Sequence, residues 1–201
     1  MPSRYNVPVT ITDEAVLPGP TASAPLALRP ASMQDAALIQ ELYVNTPGYF
    51  EIISIPLPVL SETEVELSLA LADERRHVEL LTVAAELAPD WPLEDSESGR
   101  RIVGLLDYKL DYPNEGDATV NLILIPAQLQ SRGLGGQAVA LLEQRLQGRC
   151  ERLLASIYGQ NSRARNFWVS LGYHFAIDAK PNLDWYAKEL AADAATPSGR
   201  Q

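Results

Sequence analysis

The chain has one cysteine and two histidines in 201 residues. A lone thiol, Cys150, excludes a disulfide framework and a thiolate metal site, and its place between a helical segment and a strand reads as packing. His77 and His174 are too isolated to form a metal pair or to suggest a base, so no metal is expected. Positive charge is scarce as well: 16 Lys and Arg stand against 26 Asp and Glu, a formal charge of −10. Such a surface repels a polyanion, so no nucleic-acid partner is expected, and a small or cationic substrate suits it better. Long apolar runs are missing. Nothing approaches the roughly 20 residues that a membrane-spanning helix needs, and the N-terminus has no basic stretch followed by an apolar signal region. A membrane partner is therefore not expected, and a cytoplasmic location is.

What is present points to one substantial domain, since 46% of the residues are hydrophobic and the length hardly allows two ordinary cores. Residues 1–25 are rich in Pro, Thr and Ala and read as a partly irregular arm, in which Val7, Val9 and Ile11 alternate like a short edge strand. Residues 26–190 form the domain, and 191–201 read as a flexible tail with little to bury.

Within the domain, "LALRP" (26–30) reads as a strand, and Ser32 with Asp35 as a capping pair before a helical stripe of Leu38, Ile39, Leu42 and Tyr43. Prolines 47, 56 and 58 make "NTPGYFEIISIPLPVL" a surface loop. Residues 61–87 read as helical with a break near Asp73, although Val65, Leu67, Leu69 and Leu71 alternate at strand spacing. "RIVGLLDYKLDY" and "ATVNLILIP", joined by the turn "PNEGD", form a hairpin. A helix follows from Gly136 to near Gly148, then the strand "RLLASIY". Next comes the helix "NSRARNFWVSLGYH", with Gly172 at its stop, and the strand "LDWYAKEL" closes the order. This mixture predicts an α/β or α+β fold around one central mixed sheet.

The stretch "IPAQLQSRGLGGQAVALLEQRL" (125–146) places a strand end, a glycine-rich turn and a helix start back to back. The first N–H groups of a helix have no intrahelical partner, and the helix dipole adds positive potential there. Gly133, Gly135 and Gly136 carry no Cβ, so a diphosphate can approach the main chain, and Arg132 adds a forked cation. A tight turn with no ligand is the plainer alternative. The Rossmann dinucleotide pattern fits less well, because the spacing is G-x-G-G and no acidic residue follows a second strand. The Walker loop's Gly-Lys-Ser/Thr is absent.

"QSRGLG" resembles the Q/R-x-x-G-x-G/A signature of the GNAT acetyltransferases, which bind the pyrophosphate of acetyl-coenzyme A. "LALRPASMQDA" is similar to that family's first strand and helix, "ATVNLILIP" to its fourth strand, and "NSRARNFWVSLGYHF" to its late N-x-x-A…F-W/Y…G-F/Y segment. The resemblance covers roughly 26–190 and implies a mixed, mostly antiparallel sheet flanked by helices and splayed at the cofactor. It implies that backbone amides of Arg132, Gly133, Leu134, Gly135 and Gly136 hold the pyrophosphate, with Gln130 lining the mouth. Backbone groups near Leu124 and Ile125 would pair with the pantetheine arm, whose amides need partners that a splayed sheet edge offers. Asn161 would bond the lower arm, and Arg163 or Arg165 would meet the 3′-phosphate. From the residues alone, Asn161 reads equally as a helix N-cap and the two arginines as a solvated helix face. Homodimers are common in the family, which makes one an expectation here.

The resemblance breaks at the chemistry. Where many members have a tyrosine as general acid, this chain has Trp168, whose indole N–H has no useful acidity. Trp168 reads as packing, with lining of the acyl site as the alternative. The strand acid that often serves as base is absent between Ala118 and Ile125; Glu115 and Asp117 lie just before that strand. Asp107 and the adjacent Tyr108 are the catalytic candidates, Asp107 because an inward-facing carboxylate amid "IVGLLDYKL" would have a displaced pKa. An outward-facing strand acid is the other reading, and Tyr158 and Tyr173 are further phenols. By family analogy, Tyr49 and Phe50 would contact the acceptor. The expected activity is direct transfer of an acetyl group from acetyl-CoA to a primary amine of a small molecule or peptide, with no acyl-enzyme on Cys150. Orientation supplies much of such a barrier. The alternatives are a non-catalytic CoA-binding sensor or partner module, and a purine-nucleotide binder.

Overall fold

Seven strands form one sheet in the order β1-β2-β3-β4-β5-β7-β6. They are β1 (Leu26–Pro30), β2 (Arg76–Val83), β3 (Arg101–Leu110), β4 (Asp117–Leu124), β5 (Arg152–Tyr158), β6 (His174–Lys180) and β7 (Leu183–Glu189). All neighbours are antiparallel except β4 and β5. The helices are α1 (Ala36–Val44), α2 (Pro47–Ile53), α3 (Leu60–Ala72), α4 (Leu134–Leu146) and α5 (Ser162–Ser170). This computed structural model describes residues 26–180 and 183–190; the expected arm (1–25) and tail (191–201) lie outside the described residues.

The central strands are apolar on both faces because helices cover both. Leu80, Leu81, Ile102, Val103, Leu105 and Leu106 are almost wholly buried, each worth about 1.5–3 kcal/mol relative to exposure. Alternation along β2 shows the two layers: Arg76 reaches Glu66 on α3, whereas Glu79 points to the opposite face and meets Arg145 on α4. On the first face, α1 is tied to α3 by Gln40, which accepts from Thr63 Oγ1 at 2.5 Å and donates to the Pro58 carbonyl at 2.7 Å.

Several elements differ from the sequence reading. The segment read as a loop contains α2: Pro47 suits the first helical position, and Ser54 in the left-handed region ends the helix. The helix expected over 61–87 stops at Ala72, and its second half is β2. As a strand buried on both faces, β2 has no apolar-polar alternation in its sequence, so "HVELLTV" has no half-buried strand signature. The period-two stripe lies instead on α3, where Val65 and Leu69 are exposed and Leu67 is buried. Helix α4 begins at Leu134, two residues before the expected Gly136, with Gly133 (φ 78°) as its N-cap. The late helix ends at Ser170. Gly172 (φ 87°) turns the chain while Tyr173 N donates to the Trp168 carbonyl, and His174 opens β6.

One junction in the sheet is short. β4 and β5 pair in parallel only from Asp117↔Arg152 to Val120↔Ala155. Beyond that, β4 continues against β3 to Leu124↔Leu105, and β5 continues against β7 to Tyr158↔Leu183. The two strands therefore part, leaving a gap at the end of the sheet where β4 runs into the glycine turn.

Candidate active site

The gap ends at a bend built to keep amides open. Ser131 (φ 60°) and Gly133 (φ 78°) both take left-handed conformations and swing the chain from β4 into α4. Gln137 N is the first amide of the helix to find a partner, donating to the Gly133 carbonyl at 3.1 Å. The backbone N–H groups of residues 131–136 donate to no described protein acceptor. A helix of this length concentrates positive potential at such a terminus. Gly135 is glycine for a second reason: a Cβ there would lie 3.2 Å from the Phe167 ring on α5.

The end of β4 is pressed closely onto β3 through Gly104, which the sequence reading passed over. A Cβ on Gly104 would fall 2.5 Å from the Leu124 carbonyl oxygen and 2.7 Å from Ile125 Cδ1. An isolated glycine in a strand is the signal that could have exposed it. Gln130 Nε2 donates to the Ile125 carbonyl at 2.7 Å, so one of the groups expected to face the pantetheine arm already has an internal partner.

Asp107 does face inward. Its carboxylate accepts from Arg76 Nη2 at 2.6 Å and Nε at 3.1 and 3.2 Å, and from Asn121 Nδ2 at 3.0 Å. Burial pulls the Arg76 guanidinium down, but Asp107 and then Glu66 outweigh it and hold it above its usual range. The same side carries Tyr43 and Tyr49. Burial, reinforced by Asp107 and Glu66, pushes the Tyr43 phenol up to about 12. Burial also raises Tyr49, with Tyr158 across the gap, Tyr43 and Asp107 adding to it. Phe50 is buried edge-on between Tyr43 and Tyr49, with both ring distances 5.2 Å. α2 closes this side: the Ile52 carbonyl would lie 3.3 Å from a Cβ on Gly159, just beyond β5.

Other expected site residues are placed elsewhere. Tyr108 points to the opposite face from Asp107, stacks on His77 at 4.8 Å and donates to Glu79 at 3.3 Å, so the two catalytic candidates are not brought together. Burial raises its phenol, and Glu79 adds to that. Trp168 is 3% exposed and packs edge-on to Tyr173 at 4.8 Å, inside the core. Tyr173 is fully buried and donates to Glu143. Asn161 Oδ1 accepts from Ala164 N at 2.9 Å, an N-cap. Arg165 pairs with Asp184 at 3.2 Å, and Arg132 donates to the Gln128 carbonyl at 3.1 Å. Cys150 is half-buried, and burial pushes its thiol up. A cavity of about 240 Å³, lined by Val83, Val103, Leu129 and Leu134 among others, lies on the α4 side of the glycine turn. Among the described residues, no helix is long and apolar enough to cross a membrane, and no acid, His or Cys cluster could hold a metal.

A mixed sheet that opens beside a glycine-capped helix defines an acetyltransferase fold of the coenzyme A-dependent kind. The model of the acetyltransferase (GNAT) family matches residues 64–173, and the chain belongs to that family, whose co-substrate is acetyl-CoA. The crystal structure of an acetyltransferase from Thermus thermophilus is similar, at 34% identity over 83% of this chain and 98% of that one, with a TM-score of 0.72. Two more distant structures share the fold. A spermidine N-acetyltransferase from Vibrio cholerae, in complex with CoA and spermine, is 14% identical over 82% of this chain and 95% of that one, with a TM-score of 0.61. An aminoglycoside acetyltransferase in complex with coenzyme A and kanamycin is 15% identical over 82% and 94%, with a TM-score of 0.63. No curated protein sequence matches the chain.

Proposed function

We propose that the protein transfers the acetyl group of acetyl-CoA directly to a primary amine of a small molecule or peptide. The observation that carries this reading is the run of partnerless backbone N–H groups at residues 131–136, set beside the gap between β4 and β5. In this reading the amides of Arg132, Gly133, Leu134, Gly135 and Gly136 hold the pyrophosphate, and the Arg132 side chain adds charge at the rim. The edge of β4 beyond its last pair with β5 takes the pantetheine arm as a further strand would be taken. Asn161 acts chiefly as a cap, and Arg165 reaches a 3′-phosphate only by leaving Asp184.

Acetyl-CoA supplies an activated acyl carbon. The chain supplies position: α2 with Tyr49 and Phe50, and Tyr43 behind them, walls the acceptor side against Asp107. Holding two reactants in line contributes on the order of 7–11 kcal/mol to such a step. The aromatic faces of Tyr43, Tyr49 and Phe50 favour a cationic amine, while Asp107 and Glu66 are both paired with Arg76. The related structures with spermine and kanamycin support the same class of acceptor. A homodimer belongs to the reading too, supported by exposed Val65 and Leu69 on α3 and exposed Ile55 and Val59 on the segment before it.

The test is incubation of the full chain with acetyl-CoA and a panel of spermine, kanamycin and a short peptide with a free N-terminus, following free thiol and the mass of the acceptor. Thiol release matched by an acetylated amine is expected. Tight CoA binding with no release from any amine would favour a CoA sensor over an enzyme.

A further inference from the structure

Beyond its last pair with β5, β4 carries one polar side chain, Asn121. It is also the extra residue of a bulge: Tyr108 faces Val120 and Asp107 faces Leu122, so Asn121 has no counterpart on β3. Bulges aim side chains that a regular ladder would not. This one puts Asn121 at the point where β4 and β5 part, on the face that carries Asp107.

The orientation of its amide is dictated by chemistry. Asn121 has a donating end and an accepting end. The Asp107 carboxylate, ion-paired with Arg76, only accepts, so the nitrogen must turn toward it, and Nδ2 donates to Oδ1 at 3.0 Å. The amide oxygen must then face away. No described residue donates to that oxygen, and it is not among the buried polar atoms left without a partner, so solvent reaches it. A fixed, open acceptor thus stands at the mouth of the gap, on the side walled by Tyr49.

We propose that Asn121 orients the acceptor amine, its Oδ1 accepting an N–H as the nitrogen attacks, and that Asp107 is the positioning residue that keeps this oxygen turned outward. The inference rests on the acetyl-transfer reading above. In the step itself, the amine lone pair forms the new C–N bond, the C–S bond breaks with its electron pair on sulfur, and the spare N–H proton leaves through water. The amide oxygen is too weak a base to take that proton. It holds the N–H, and holds it harder as the nitrogen gains positive charge, so its effect falls on turnover more than on binding. The arrangement also gives the buried carboxylate a task other than general base.

The test uses the full chain and the best-accepted amine of the panel. Asn121→Ala and Asn121→Leu should each lower kcat about 10- to 100-fold, the range of a hydrogen bond to a developing charge, with KM for acetyl-CoA unchanged. Asp107→Asn lets the Asn121 amide turn round and present its NH₂ group. It should lose a similar factor without altering the shape of the pH profile, and Asp107→Asn with Asn121→Ala should lose no more than either alone. Calorimetry with CoA verifies that each variant is folded. Full turnover by a folded Asn121 variant, multiplicative losses in the double variant, or disappearance of the acidic limb in Asp107→Asn would each overturn the inference. If the unaltered protein acetylates no amine, the functional reading falls and this inference with it. If the unaltered protein turns over and the Asn121 variants match it, only the role of Asn121 falls.

Discussion

Gly104 lets β4 lie close against β3, with the Leu124 carbonyl oxygen turned toward it. Any side chain there must displace the Leu124 backbone oxygen as well as the tips of Ile125 and Leu81. Gly104→Ala should therefore cost about 1–3 kcal/mol, as overpacking does, and denaturant unfolding of the two proteins measures it. CoA affinity should fall with it, because the displaced atoms belong to the strand that meets the pantetheine arm. Asn161 gives a contrasting case. Its Oδ1 caps α5, so Asn161→Ala should cost about 1 kcal/mol while Asn161→Asp preserves stability, as thermal unfolding would show. At this scale the sequence was informative where a residue type has one strong preference. Gly172 was placed by the preference of helix ends for glycine and Gly133 by the room a missing Cβ leaves, whereas Asn121 gave no hint of its partner because Asp107 meets it only through a bulge.

Among the elements, the glycine turn and α4 were legible because their signal is local: a strand end, small residues and a helical stripe in one stretch. β2 was not, since its evidence is tertiary. Only burial on both faces explains why "HVELLTV" is extended, and no periodicity records that. α2 was hidden by the prolines on either side, one of which starts it. The same local logic makes the bend testable. Gly133 has room for a Cβ, which would meet only the Gln137 amide at 3.7 Å, so the obstacle is its φ of 78°. Gly133→Ala should lose about 1–2 kcal/mol, and Gly133→Asn less, because Asn tolerates the left-handed region. Denaturant midpoints would rank the three proteins. Isothermal titration with CoA should rank them in the same order if the open amides are the binding groups.

For the molecule as a whole, two buried aspartates link stability to acid. Burial raises the carboxyls of Asp35 and Asp117, but Arg29 and Ser32 around the first, and Arg152 and Asn114 around the second, outweigh it and leave both below the ordinary range. A folded value beneath the unfolded one means the unfolded chain binds more protons on acidification. Their stabilisation is complete above the unfolded value of about 3.9 and drains away as the pH falls through the lower folded values. Asp117→Asn should lower stability at pH 7 and flatten its acid limb, read from thermal unfolding between pH 6 and about 3. Asp117 and Arg152 are also the first rung of the β4–β5 ladder, with Arg152 donating to both carboxylate oxygens at 2.7 and 2.6 Å.

That ladder has four rungs, and α4 spans it like a strut, with Arg145 on Glu79 of β2 and Glu143 holding Lys188 of β7. The molecule is bound like a book along a short spine, beyond which its two leaves part. A guest lying between the leaves becomes a second spine. Amide hydrogen exchange in β4 and β5 should then slow together, including at rungs the guest never touches.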